Sequence, residues 1–204
     1  MLQYRQYRLE RRDAEMESKT LLITGFEPFG TEATNPSWEA VGRLPDHIGA
    51  YCVERLLLPV TFGQAAALAA EAADRIHADA ILCVGLAASR AAITPEAIGV
   101  NVRDASIPDN AGSRPEGVPI DANGPAAIFS TLPVRKMVEA IKALGIPAQL
   151  SYSAGTYVCN DLLYSLLRKF DGTPTRVAFI HIPLASVLPV ETSARALCAA
   201  IEAI

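Results

Sequence analysis

The chain has 204 residues, half of them hydrophobic, and a formal net charge of −4. That length suits one domain and buries roughly 70% of the unfolded surface, so the chain can fold without disulfides or metal. The modest charge gives no electrostatic basis for a nucleic-acid or anionic-membrane partner, and no run approaches the ~20 apolar residues of a membrane span.

The first stretch, Met1 to Lys19, mixes charges of both signs. It reads as a loosely held extension before a single α/β domain over residues 20–204. Met16 is an alternative start. The N-terminus has no apolar core of the signal-peptide kind, so a cytoplasmic protein is expected. The cysteines, at positions 52, 83, 159 and 198, make no CxxC pair. Neither a zinc site nor a disulfide framework is expected, and the thiols suit a reducing compartment.

The globular pattern begins with a short apolar strand from Thr20 to Thr24, ending at Gly25. A Gly- and Pro-rich loop follows, carrying Phe26 and Phe29. Asn35 then Pro36 signals a helix start, with Trp38, Val41 and Leu44 as its apolar face. Tyr51 to Pro59 reads as a second strand, Phe62 to Ala78 as an alanine-rich helix, and Ala80 to Val84 as a third strand ending at Gly85. This alternation predicts a largely parallel sheet with helices on both faces, and ligand sites at loops beyond the strands' carboxyl ends. Gly25–Pro36 and Gly85–Pro95 are two such loops. Ile93 to Gly124 is less regular, with a possible hairpin and an IPDN turn. A helix stops at Leu144, before Gly145 and Pro147. Ala148 to Tyr152 reads as a strand leading to Cys159. Arg176 to Ile182 is the last strand and Glu191 to Ile204 the last helix.

Cys159 falls where a helix begins, since Leu162, Leu163, Leu166, Leu167 and Phe170 recur at helical spacing after it. The positive end of a helix lowers a thiol's pKa and suits a nucleophile. Ala154, Gly155 and Thr156 are small enough to admit a substrate. A buried structural cysteine is the competing reading. A thiol nucleophile needs a base, and the base an orienting group. His47 and His77 read as surface residues. His181 lies at the end of the last strand, either as that base or as a hydrogen-bonded core histidine. Glu96, beyond Pro95, is a candidate orienter; a carboxylate in the first turn of a helix is the alternative.

Five strings taken together, GFEPFG, NPSWEAV, ITPEAIGVNVRDASIPDNAG, SAGTYVCND and FIHIP, resemble pyroglutamyl peptidase I, the pyrrolidone carboxyl peptidases. The resemblance runs from Leu21 to the C-terminal helix. It implies a single-domain, phosphorylase/hydrolase-like α/β/α sandwich with a largely parallel, mixed sheet. It implies a Cys159, His181, Glu96 triad that removes N-terminal pyroglutamate from peptides without metal or cofactor. Phe26 and Phe29 match the family's ring-holding phenylalanines. Ile107 and Val158 match other wall positions, and Tyr157 stands where many members have phenylalanine. A homo-oligomer, tetramer or dimer, is also implied.

Two departures accompany the match. The family's GGR is here part of GLAASR, with Ala88 and Ser89 for the glycines and Arg90 retained. An arginine usual before IPDN is Ser106, and Arg103 is the candidate to replace it. Two other functions compete: a nucleoside phosphorylase-like enzyme, for which GLAASR makes a poor phosphate loop, and a lactam-binding protein with catalysis weakened through Ser106.

Overall fold

In the computed structural model, residues 18–30 and 33–204 are described. Most of the proposed extension, residues 1–17, lies outside them. The strands are β1 (Lys19–Phe26), β2 (His47–Ile48), β3 (Tyr51–Leu58), β4 (Ala80–Leu86), β5 (Thr94–Glu96), β6 (Ile98–Val100), β7 (Ala127–Phe129) and β8 (Arg176–Ile182). The helices are α1 (Pro36–Gly42), α2 (Gln64–Arg75), α3 (Val134–Ala143), α4 (Val158–Lys169) and α5 (Val190–Glu202).

Six strands form the main sheet in the order β2-β3-β1-β4-β8-β5. The four central strands run parallel, and β2 and β5 close the edges antiparallel. A separate antiparallel pair, β6 and β7, stands beside it. Side chains alternate across each strand, so adjacent residues feed opposite layers. Leu21, Ile23, Leu82, Val84, Ile180 and Ile182 face α1, α3 and α5. Leu22, Ile81, Cys83, Val177 and Phe179 face α2 and α4. This is the expected three-layer α/β/α arrangement.

The local signals explain the elements. Asn35 caps α1 by accepting a hydrogen bond from the Ser37 amide at 3.1 Å, and Pro36 occupies the first turn. Gly25 lets that helix settle on β1: a Cβ there would stand 2.8 Å from the Trp38 Cα. α4 buries Leu162, Leu163, Leu166 and Leu167 on one stripe. Each such side chain contributes about 1.5–3 kcal/mol by leaving water.

Several boundaries differ from the sequence expectation. Lys19 belongs to β1, pairing with Tyr51. α2 is confined to Gln64–Arg75, because Gly63 and His77, both at positive φ, bound it. Ala148 to Tyr152 is no regular strand. It meets the sheet through two parallel bridges, Ile93 to Ala148 and Glu96 to Ser151. Those bridges lie along the edge that β5 forms, which propensity in residues 148–152 cannot reveal.

Candidate active site

Glu96 lies on β5, a three-residue strand antiparallel to β8, rather than in a loop or a helix turn. The register pairs Thr94 with His181 and Glu96 with Phe179. Glu96 and His181 therefore share one sheet face, two positions apart. The Glu96 Oε1 accepts from His181 Nδ1 at 2.7 Å, with both side chains buried. The bond engages Nδ1 and leaves Nε2 as the nitrogen available for proton transfer. Phe179 packs on the imidazole, ring centroids 4.7 Å apart.

Cys159 is the second residue of α4. Its Sγ packs over Gly85 of β4, 3.0 Å from where a Cβ would stand. Gly85 is the parallel-strand neighbour of His181. The sulfur, the imidazole and the carboxylate thus gather on the α4 face of the sheet, brought by α4, β8 and β5. No hydrogen bond joins Sγ to His181 among the described residues. Tyr157, at the N-cap of α4, makes no side-chain capping bond. The first amides of the helix remain donors for a developing negative charge.

The thiol's electrostatics depart from the sequence expectation. Burial pushes Cys159 up to about 12, with Glu96 and Cys83 adding to the rise, while Arg90 and its own amide oppose it. The helix end does not outweigh desolvation. Burial also lowers His181, against the pull of Glu96. Both shifts favour the uncharged forms, thiol and imidazole.

Arg90 completes the cluster. Its Nη1 donates to Glu96 Oε1 at 2.5 Å and also to the Thr94 hydroxyl. Its Nη2 donates to the Ser153 carbonyl at 2.7 Å.

The predicted pocket residues divide. Phe29 and Tyr157 meet at 5.6 Å between centroids, and Phe62 packs edge-on against Tyr157 at 5.2 Å. The Tyr157 hydroxyl donates to the Pro108 carbonyl at 3.0 Å, next to the exposed Ile107. Phe26 is buried against Phe179, and Val158 is fully enclosed in the same layer. These two are buried, whereas Phe29 and Tyr157 are partly exposed.

Sequence reading missed the residues that hold the loops around this wall. Asp109 accepts from the amides of Ala111 and Ser113 through Oδ1, and from the Phe62 amide through Oδ2. Asn110 donates to the Pro28 carbonyl at 3.1 Å. Together they tie the IPDN turn to both aromatic loops. Asn160 accepts from the Val100 amide and donates to the Val100 and Val102 carbonyls. Buried Asp161 accepts from Arg103 Nε at 2.7 Å and from the Gly63 amide at 2.7 Å. Arg103 is thereby engaged as a loop anchor, not held in reserve for Ser106. The only signal was their membership in the strings around IPDN and Cys159. His47 and His77 are exposed, as expected; His47 Nδ1 lies 3.3 Å from Cys52 Sγ. Among the described residues, no three His, Cys, Asp or Glu side chains gather as metal ligands. No described helix is long and apolar enough to cross a membrane.

Residues 19–204 match the pyroglutamyl peptidase family. The pyrrolidone-carboxylate peptidase of Escherichia fergusonii is 50% identical over 167 residues, 81% of this chain and 78% of that protein. That of Levilactobacillus brevis is 48% identical over 165 residues, 80% of this chain and 81% of that protein. The crystal structure of pyroglutamyl peptidase I from Bacillus amyloliquefaciens superposes with a TM-score of 0.87 at 41% identity, covering 90% of this chain and 95% of that one. The pyrrolidone carboxyl peptidase of Thermococcus litoralis gives 0.84 at 35% identity, over 91% and 92%.

Proposed function

The chain belongs to the pyroglutamyl peptidase family, cysteine peptidases that remove N-terminal pyroglutamate, and from that premise we propose that Cys159, His181 and Glu96 carry the reaction here. The single observation that supports this most is the 2.7 Å His181–Glu96 bond, formed beside the glycine over which the Cys159 sulfur packs.

In this reaction the pair starts as a thiol and an uncharged imidazole, the forms that burial favours. As the Cys159 sulfur adds to the pyroglutamyl carbonyl carbon, His181 takes the thiol proton. Glu96 holds the imidazole in its tautomer and supports the imidazolium that forms. The uncapped amides at the start of α4 donate to the oxyanion. His181 then protonates the departing amine, and the shortened peptide leaves. Water attacks the thioester, giving its proton to His181. Pyroglutamate departs and the thiol is restored.

The lactam ring is flat, neutral and without a free amine. An aromatic wall of Phe29, Tyr157 and Phe62 suits it, with Ile107 at the rim. Phe26 and Val158 back that wall. A cytoplasmic setting fits the four free thiols. The exposed Phe129 and Tyr152, near the open sheet edge, fit a homo-oligomer, dimer or tetramer, which light scattering tests.

The deciding experiment is an acid-quenched reaction with a pyroglutamyl peptide, read by mass spectrometry. The pyroglutamyl adduct is expected on Cys159. An adduct on another residue, or equal rates on alanyl and pyroglutamyl amides, overturns the reading.

A further inference from the structure

Glu96 is fully buried, yet its two partners share one oxygen. Both His181 Nδ1 and Arg90 Nη1 donate to Oε1, at 2.7 and 2.5 Å, while Oε2 is buried with no partner among the described residues. A carboxylate held through one oxygen is free to turn unless something else fixes that oxygen. The Ser130 hydroxyl meets Glu96 at its backbone carbonyl, not at its carboxylate. The rotational hold on the Glu96 side chain, apart from the histidine it orients, therefore comes from Arg90.

Arg90 is suited to that task. Its guanidinium is planar, always charged and forked. One nitrogen holds Glu96 and the Thr94 hydroxyl, and Thr94 in turn donates to the His181 backbone carbonyl at 3.4 Å. The other nitrogen holds Ser153, in the segment that leads to Cys159. The side chain is 22% exposed, against 0% for Glu96, so the charge of the buried carboxylate is met by a group that keeps some contact with water.

We propose that Arg90 is a positioning residue for this reaction: it clamps Glu96 Oε1 toward His181 and fixes the edge segment at Ser153 to the same unit. The proposal rests on the assignment of Cys159, His181 and Glu96 as the reacting groups. The charged groups that act on His181 are Glu96 on β5 and Arg90 on the loop after β4, and the thiols Cys83 on β4 and Cys159 on α4 lie in the layer its sheet face meets. Among these, Arg90 and Glu96 act on the imidazole in opposite directions: Glu96 favours its proton and Arg90 disfavours it.

The test compares Arg90→Gln and Arg90→Lys in the full chain, with steady-state hydrolysis of a pyroglutamyl aminocoumarin followed against pH. Arg90→Gln should lose about 10- to 100-fold in kcat, with KM little changed, the size of effect expected for one charged hydrogen bond. The acid limb of its kcat/KM profile should move to higher pH. Arg90→Lys should recover only part of kcat, because the charge returns but the fork that also holds Ser153 does not. A second readout is independent of turnover. The chain has three histidines, so ring-labelled NMR resolves them, with His47 and His77 as internal references. In Arg90→Gln the His181 midpoint should rise while the other two stay. An unmoved limb and an unmoved His181 midpoint in folded Arg90→Gln overturn the proposal, as does Arg90→Lys no better than Arg90→Gln. A wild-type protein inert toward pyroglutamyl amides defeats the hydrolase assignment instead, and the His181 titration still decides whether Arg90 acts on it.

Discussion

The Cys159 sulfur sits against Gly85, on the space that a Cβ at that position would fill: the sulfur lies 3.0 Å from it and the Phe179 ring 2.7 Å. Gly85 is therefore part of the nucleophile's seat. Gly85→Ala should cost about 100-fold or more in kcat, because a displacement of about 1 Å at a reacting atom has that effect. Its stability should fall by about 1–3 kcal/mol, since Phe179 is fully buried and has nowhere to move. Steady-state kinetics and thermal melting check both. Wild-type turnover in Gly85→Ala would show that the sulfur reacts from another position.

Replacing the reacting groups should rank them. Cys159→Ala should abolish turnover, and His181→Ala should be nearly as damaging. Glu96→Gln removes orientation and charge support rather than a proton carrier, so its loss should be milder, about 100- to 1,000-fold. The losses should not add in double variants, because the groups act as one unit. Additive losses would separate Glu96 from the histidine.

The pH behaviour follows from burial. The Cys159 thiol, raised from 9.0 to about 12, should alkylate with iodoacetamide at a rate that climbs through neutral pH without a plateau. A plateau at neutral pH would mean a preformed thiolate. For stability, a raised thiol contributes fully below pH 9.0, and the contribution is lost as pH rises toward 12. His181, lowered from 6.5, works at the other end: its contribution is present above 6.5 and is lost as pH falls through its folded value. Urea midpoints measured across pH should fall at both ends, and Cys159→Ala should flatten the alkaline fall.

Ser106 is exposed on the loop before Ile107, and Arg103 is committed to Asp161. The exposed Ser106 side chain makes no hydrogen bond among the described residues, so an arginine there displaces no side-chain partner. Ser106→Arg should keep the melting temperature and raise kcat/KM by polarising the substrate carbonyl. An unchanged or lower kcat/KM in a folded variant would mean the pocket already meets that charge.

The first described strand, β1, begins at Lys19. Lys19 pairs with Tyr51, and its amide donates to the Ala50 carbonyl at 3.0 Å. A chain beginning at Met16 keeps this strand and should match the full chain in activity and melting temperature. A large drop in either would assign the preceding residues a packing role.

Sequence alone determined what is local or periodic. Short continuous apolar runs announced the parallel core strands, and the Asn35-Pro36 pair announced α1. The leucine spacing after Cys159 placed that cysteine at a helix start. These signals survive because a strand's two faces and a helix's stripe are written in neighbouring residues. Tertiary structure decided the rest. Glu96 meets His181 across 85 positions, and Arg90 reaches Ser153 across 63, through strand pairings with no local signature. β5 is too short to announce itself, and Ala148–Tyr152 pairs only where that edge receives it. The thiol's pKa went against the helix-end argument because desolvation is set by everything packed around the sulfur, most of it distant in the chain.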